Sequence, residues 1–105
     1  MNTPVYDFLI QYAQRDPVRL HMPGHKGRFG APALQRATTL DLTEITGADS
    51  LFEAEGILAE SERNAASLYG TAYTFYSCGG STLCIQTMLL LMKQQGRAVL
   101  AARNV

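Results

Sequence analysis

Apolar and polar positions alternate along this chain in two registers, one helical and one extended, with glycine and proline marking the changes between them. Val5, Phe8, Leu9 and Tyr12 recur at helical spacing, so the stretch from Thr3 to about Gln14 predicts a short amphipathic helix. Thr3 stands where a cap belongs, Pro4 suits the first turn, and Asp16-Pro17 ends the helix because a residue before proline is pushed out of the α region. A second helix is expected from Ile57 or Leu58 to Tyr69, with Leu58, Ala65, Ala66, Leu68 and Tyr69 on its apolar side and Glu60, Glu62 and Arg63 on its polar side. Gly70 is its stop. A third helix is expected from about Ser81 to Gln95, closed by Gly96. Cys84, Ile85, Met88, Leu89, Leu91 and Met92 place apolar groups on much of its circumference, which predicts cover on more than one side.

Between Gly30 and Gly56 the pattern is mixed, with one helical turn expected at Ala33–Ala37 and a short extended piece at Leu40–Ile45. The aromatic run Tyr73-Thr74-Phe75-Tyr76-Ser77 reads as a strand, and Arg97-Ala98-Val99-Leu100-Ala101-Ala102 as a buried strand. With the third helix between them, these strands would make one right-handed βαβ unit with parallel strands. Two strands are too few for a sheet covered on both faces. The expected fold class is therefore α/β, and the chain reads as the opening part of a larger α/β domain.

Composition narrows the function classes. The chain has 105 residues, enough for at most one small domain, and its nine basic residues balance nine acidic ones. No net field draws it to nucleic acid or to an anionic membrane. The longest apolar run, Met88–Met92, is far too short to span a bilayer, and the start lacks the order of a signal peptide, so a cytoplasmic location is expected. Cys78 and Cys84 are too few for a disulfide framework or a zinc site and read as reduced thiols.

Two stretches carry candidate chemistry. Where the strand expected at Tyr73–Ser77 breaks at Gly79-Gly80 and a helix begins at Ser81, unpaired backbone N–H groups and the positive end of the helix dipole suit an anion, most plausibly a phosphate. The same glycine and hydroxyl pattern also serves as an ordinary helix cap, and both readings stand on the local pattern. The second stretch, Arg19 to Arg28, gathers His21, His25, Lys26 and two glycines around Pro23 in an irregular loop. His21 and His25 are four apart, but Pro23-Gly24 between them argues against a helix that would bring both to a metal. Such a loop is either a solvated turn or the lining of a cleft for anionic groups, and composition favours the turn. Asp41, Glu44, Asp49, Glu53 and Glu55 include no pair whose spacing singles it out for acid–base work.

Three stretches taken together resemble one family. Leu20-His21-Met22-Pro23-Gly24-His25-Lys26-Gly27, then Asp41-Leu42-Thr43-Glu44 with Gly47-Ala48-Asp49-Ser50-Leu51, then Tyr76-Ser77-Cys78-Gly79-Gly80-Ser81-Thr82 followed by Ala102-Arg103-Asn104, are similar to the N-terminal part of the Orn/Lys/Arg decarboxylases. These are pyridoxal-phosphate enzymes of the aspartate-aminotransferase fold. The resemblance implies an incomplete, N-terminal part of a fold-type-I enzyme: residues 1–56 as the N-terminal helix with active-site-entrance or dimer-contact loops, and residues 57–105 as the start of the cofactor-binding large domain. It implies that Gly80, Ser81 and Thr82 help hold the phosphate of pyridoxal 5'-phosphate, with Gly79 serving the turn. It also implies a basic amino acid, arginine, lysine or ornithine, as substrate, and a homodimer or higher oligomer.

No residue of this chain is expected to perform a catalytic step, and none to bind a metal. The family's ring-stacking histidine, its aspartate on the pyridine nitrogen and its Schiff-base lysine belong to segments that the sequence does not contain, and Lys26 is not that lysine. Without them the cofactor lacks its electron-sink partner and its covalent anchor, so these residues alone are expected to be inactive. The rival readings are a non-catalytic accessory chain and a small phosphate-ligand-binding module. The module lacks both the P-loop and the dinucleotide fingerprints.

Overall fold

Pro4 opens the first helix, α1 (Pro4–Gln14), at a position where its missing N–H costs nothing. The Thr3 side chain does not cap the helix backbone. Instead the Asp7 carboxylate reaches back to accept the Thr3 backbone N–H at 3.2 Å and its hydroxyl at 3.0 Å, and the Asp7 N–H donates to the Thr3 carbonyl at 2.8 Å. The helix ends as the sequence predicts, with Asp16 turning the chain at a φ of 41° just before Pro17. In this computed structural model the described residues are 2–96, 98–100, 102 and 103. They form three further helices, α2 (Pro32–Leu40), α3 (Ile57–Tyr69) and α4 (Gly80–Gln94).

The chain divides into two compact units, residues 1–74 carrying α1 to α3 and residues 75–105 carrying α4. In the first unit α1 packs against both α2 and α3. Phe8 and Tyr12 stack with ring centroids 6.1 Å apart, and a Cβ on Gly47 would meet the Phe8 ring at 3.0 Å, so the loop after α2 closes over this aromatic face. Asn2 ties the start of the chain to α3: the Asn64 amide donates to the Asn2 carbonyl at 3.2 Å and to its side-chain oxygen at 2.9 Å, and the Asn2 amide donates to Glu60. Gly70 stops α3 in the left-handed conformation, and the Thr71 N–H closes the end on the Ala66 carbonyl at 3.0 Å. Ala66, on the inner side of α3, is buried.

Four expectations are corrected here. The α/β reading, with a first βαβ unit of a large-domain sheet, fails, because no strand occurs among the described residues. Tyr73–Ser77 is irregular, and so are residues 98–100 and 102 of the second expected strand, whose Arg97 and Ala101 lie outside the described residues. A helix satisfies its backbone within its own segment, whereas a strand needs a ladder formed with a separate segment, which composition alone does not supply. The short extended piece expected at Leu40–Ile45 is likewise absent, Leu40 ending α2 and residues 41–45 forming a loop, and the single turn expected at Ala33–Ala37 grows into all of α2. The last correction concerns α4, whose apolar pattern predicts cover on more than one side. All of its residues are exposed, with Met88 at 57% and Leu90 at 56% of full exposure.

Candidate functional site

The loop of residues 19–28 is built around Arg19, whose side chain is buried and fully engaged. Its guanidinium donates to the Thr39 carbonyl at 2.7 Å and to the Asp41 carbonyl at 3.4 Å, and it lies 5.2 Å from the centre of the Tyr12 ring. These are the last carbonyls of α2, where a helix end offers unpaired acceptors and a negative dipole end. Gly27 runs directly beneath: at a φ of 76°, a Cβ there would fall 2.5 Å from the Arg19 guanidinium. The Gly27 carbonyl in turn accepts from Gln35 Nε2 at 2.9 Å and from the Thr39 hydroxyl at 3.3 Å.

The two histidines do not converge. His21 bonds Tyr12 Oη through Nε2 at 2.8 Å and the Met22 carbonyl through Nδ1 at 2.5 Å, while His25 bonds Asp41 through Nε2 at 3.1 Å and accepts the Gly27 N–H at Nδ1 at 3.0 Å. Lys26 is exposed, and its ammonium donates to the His21 carbonyl at 2.6 Å. The loop is thus neither a simple solvated turn nor an open cationic cleft. Arg19 is turned inward onto backbone carbonyls, while Lys26 and Arg28 stay at the surface, on the His21 carbonyl and Asp16.

The carboxylates of the middle stretch are also committed. Asp41 takes His25, and Glu44 accepts the Ser50 hydroxyl at 2.8 Å. Asp49 accepts the backbone N–H groups of Ser50, Glu55, Gly56 and Leu58 at 2.9, 3.2, 2.8 and 2.9 Å, and so caps the start of α3 from outside the helix. Partial burial pushes its carboxyl up, but the four N–H bonds outweigh it and bring the pKa from an ordinary 3.8 down to about 2. A carboxylate so stabilised is a poor proton acceptor near neutrality, and its work is structural. A cavity of about 480 Å³ between α1, the 41–51 loop and the start of α3 has walls of Val5, Phe8, Leu9 and Leu58, and these engaged carboxylates stand around it. Among the described residues no three His, Cys, Asp or Glu side chains gather where a metal ion could be held.

The glycine turn lies in the second unit. Gly79 is the residue before α4, its N–H donating to the Ser77 hydroxyl at 3.2 Å, and a Cβ on it would meet the Leu83 side chain at 2.5 Å. Gly80 opens the helix at a φ of 66°, with nothing within 4 Å of where its Cβ would be. No side chain caps the helix, and its first turn holds no acidic residue. Ser81 and Thr82 follow Gly80 directly and are exposed. The two glycines therefore differ in their work: Gly79 gives room to Leu83, and Gly80 takes a left-handed turn with open space on its Cβ side. Sequence reasoning reached this turn. It missed Arg19, Gly27 and Asp49 as organisers, for which the only signals were a lone arginine before the histidines and an Asp-Ser pair ahead of a helix.

This arrangement is an uncapped helix start entered through glycine and followed by two hydroxyl residues, with backbone N–H groups that lack intrahelical acceptors. The chain belongs to the Orn/Lys/Arg decarboxylase family, since the model of that family's major domain matches residues 3–105. It is 34% identical over 109 residues to the uncharacterized protein YaaO of Bacillus subtilis, covering 99% of this chain and 23% of that one. It is 32% identical to an arginine decarboxylase of Bacillus cereus, covering 98% of this chain and 24% of the relative. It is 34% identical to an arginine decarboxylase of Bacillus subtilis, covering 98% and 22% respectively. The chain thus spans about a quarter of the length of the curated relatives it matches. No solved structure matches it significantly.

Proposed function

We propose that this chain supplies part of the phosphate site for pyridoxal 5'-phosphate in a decarboxylase of basic amino acids, with Gly80, Ser81 and Thr82 as the binding residues. The observation that carries the reading is the start of α4: its N–H groups have no side-chain cap, no carboxylate sits in the first turn, and the space over Gly80 is open. A phosphate dianion there would accept backbone N–H groups and two hydroxyls at the positive end of the helix dipole. The cofactor, when bound, supplies the electron sink for loss of the α-carboxylate as carbon dioxide. This chain's residues bind and orient its phosphate and take no part in proton transfer.

Arginine is the substrate we favour, from the names of the relatives, with lysine and ornithine as alternatives. In this reading residues 1–56 form the helix and loops at the active-site entrance or dimer contact, residues 57–105 begin the cofactor-binding part, and the working enzyme is a cytoplasmic homo-oligomer. The 105 residues alone are inactive, because no cofactor-anchoring lysine is placed among them. No helix among the described residues is long and apolar enough to cross a membrane.

The test is cofactor retention in the complete enzyme. Replacing Ser81 and Thr82 together with Ala removes two charge-assisted contacts, each about 1.5–3 kcal/mol, so pyridoxal phosphate affinity is expected to fall at least tenfold. Inorganic phosphate should compete with the cofactor in the parent and compete less well in the variant. Undiminished retention of pyridoxal phosphate in the double variant would remove these residues from the site.

A further inference from the structure

The loop of residues 21–28 holds two imidazoles in opposite tautomers, and only one can gain a proton without losing a bond. At His21, Nδ1 faces the Met22 carbonyl and so carries the hydrogen, while Nε2 faces the Tyr12 hydroxyl. A proton added at Nε2 is accommodated there, because a hydroxyl can turn from donor to acceptor. At His25 the order is reversed. The Gly27 N–H points at Nδ1, which must present its lone pair, and Nε2–H donates to the Asp41 carboxylate. A backbone N–H cannot turn round. A proton added at Nδ1 would set two donors against each other.

Gly27 is a junction, so this contact reaches further than one turn. Its carbonyl holds Gln35 and Thr39 of α2, its Cα lies against the Arg19 guanidinium, and the Arg28 N–H beside it donates to the His25 carbonyl at 2.8 Å. The charged groups about this turn are Asp41, which faces the His25 ring at the end of α2, Arg19, bonded to the Asp41 and Thr39 carbonyls, and neighbouring Lys26, whose ammonium sits on the His21 carbonyl. Arg28 is engaged with Asp16 at 3.4 Å, and α1 turns Tyr12 toward His21.

We propose that His25 is a proton-operated latch on the 25–28 turn: neutral, its ring joins the Gly27 N–H to Asp41, and protonated, it keeps Asp41 and releases Gly27. The imidazolium–carboxylate contact strengthens on protonation, whereas the contact with Gly27 changes from a bond to a donor–donor opposition. Protonation of the ring therefore loosens the turn from it while leaving the ring on α2.

An NMR titration of the isotopically labelled full-length chain tests this, following the His25 ring carbons and the Gly27 amide together. The expected result is that the Gly27 amide shifts with the same midpoint as the His25 ring, and that its protection from exchange drops roughly five- to tenfold across that midpoint. In His25→Asn the side-chain oxygen can still accept the N–H two residues on, without titrating, so Gly27 should stay protected and insensitive to pH. Gly27 protection that is unchanged while His25 titrates, or an identical pH response in His25→Asn, would overturn the latch.

Discussion

Arg19 shows how one side chain can convert a basic loop into a fixed one. In the sequence it is one of several cations, and arginine is among the residues least often buried without a partner. Here it is 92% withdrawn from solvent because two helix-end carbonyls and an aromatic face receive it, and Gly27 must be glycine to let it lie there. Gly27→Ala combines a left-handed φ with a Cβ inside the guanidinium, and should destabilise the first unit by about 1–3 kcal/mol. Arg19→Met should cost a similar amount, about 1–3 kcal/mol, by leaving the Thr39 and Asp41 carbonyls without their donor. Urea denaturation of each variant against the parent measures both. If the two substitutions act through the one contact, the double variant should lose clearly less than the sum of the single losses. None of this was legible from spacing, because the partners Thr39 and Asp41 lie about twenty residues away in the chain.

At the scale of elements, the helices were readable and the strands were not. Val5, Phe8, Leu9 and Tyr12, and likewise Leu58, Ala65 and Ala66, mark helical stripes whose hydrogen bonds close within the segment, so periodicity and the punctuation by Pro4, Pro17 and Gly70 place their ends within a residue or so. Tyr73–Ser77 has β-prone composition, but such composition only describes what fits a pleated surface when one is present. α4 lies between these cases. Its sequence forms a helix of 15 residues, yet none of its side chains is buried, and isolated helices of that length are marginal in water. Hydrogen exchange should therefore show the α4 amides opening well before those of α1 and α3, with protection lower by at least tenfold. Equal protection across all three helices would mean that α4 draws tertiary support that its exposure does not suggest. Gly79→Val should disturb the start of α4 through the Leu83 contact even in the absence of any ligand, which separates a packing effect at Gly79 from the binding effect proposed for Gly80.

For the molecule as a whole, Asp49 links folding to pH. Its folded pKa, about 2, lies below the ordinary 3.8, so the stability it contributes is fully present above that ordinary value and is lost as pH falls toward 2. Asp49→Asn should lower stability at neutral pH and flatten the acid limb of a stability–pH curve measured by denaturation. A variant with the parent's acid limb would show that other carboxylates carry it.

The amino-acid sequence by itself determined the family, three of the four helices with their stops, and the glycine–hydroxyl turn at Gly79–Thr82, because each depends on residue type at short, fixed spacing. It did not determine that Arg19 is buried against distant carbonyls, that Asp49 caps α3, or that the expected βαβ unit is absent from the described residues. Those outcomes rest on which distant donor meets which acceptor. Only the tertiary structure decides that, since a buried charge, a remote cap and a strand ladder each need a partner from elsewhere in the fold.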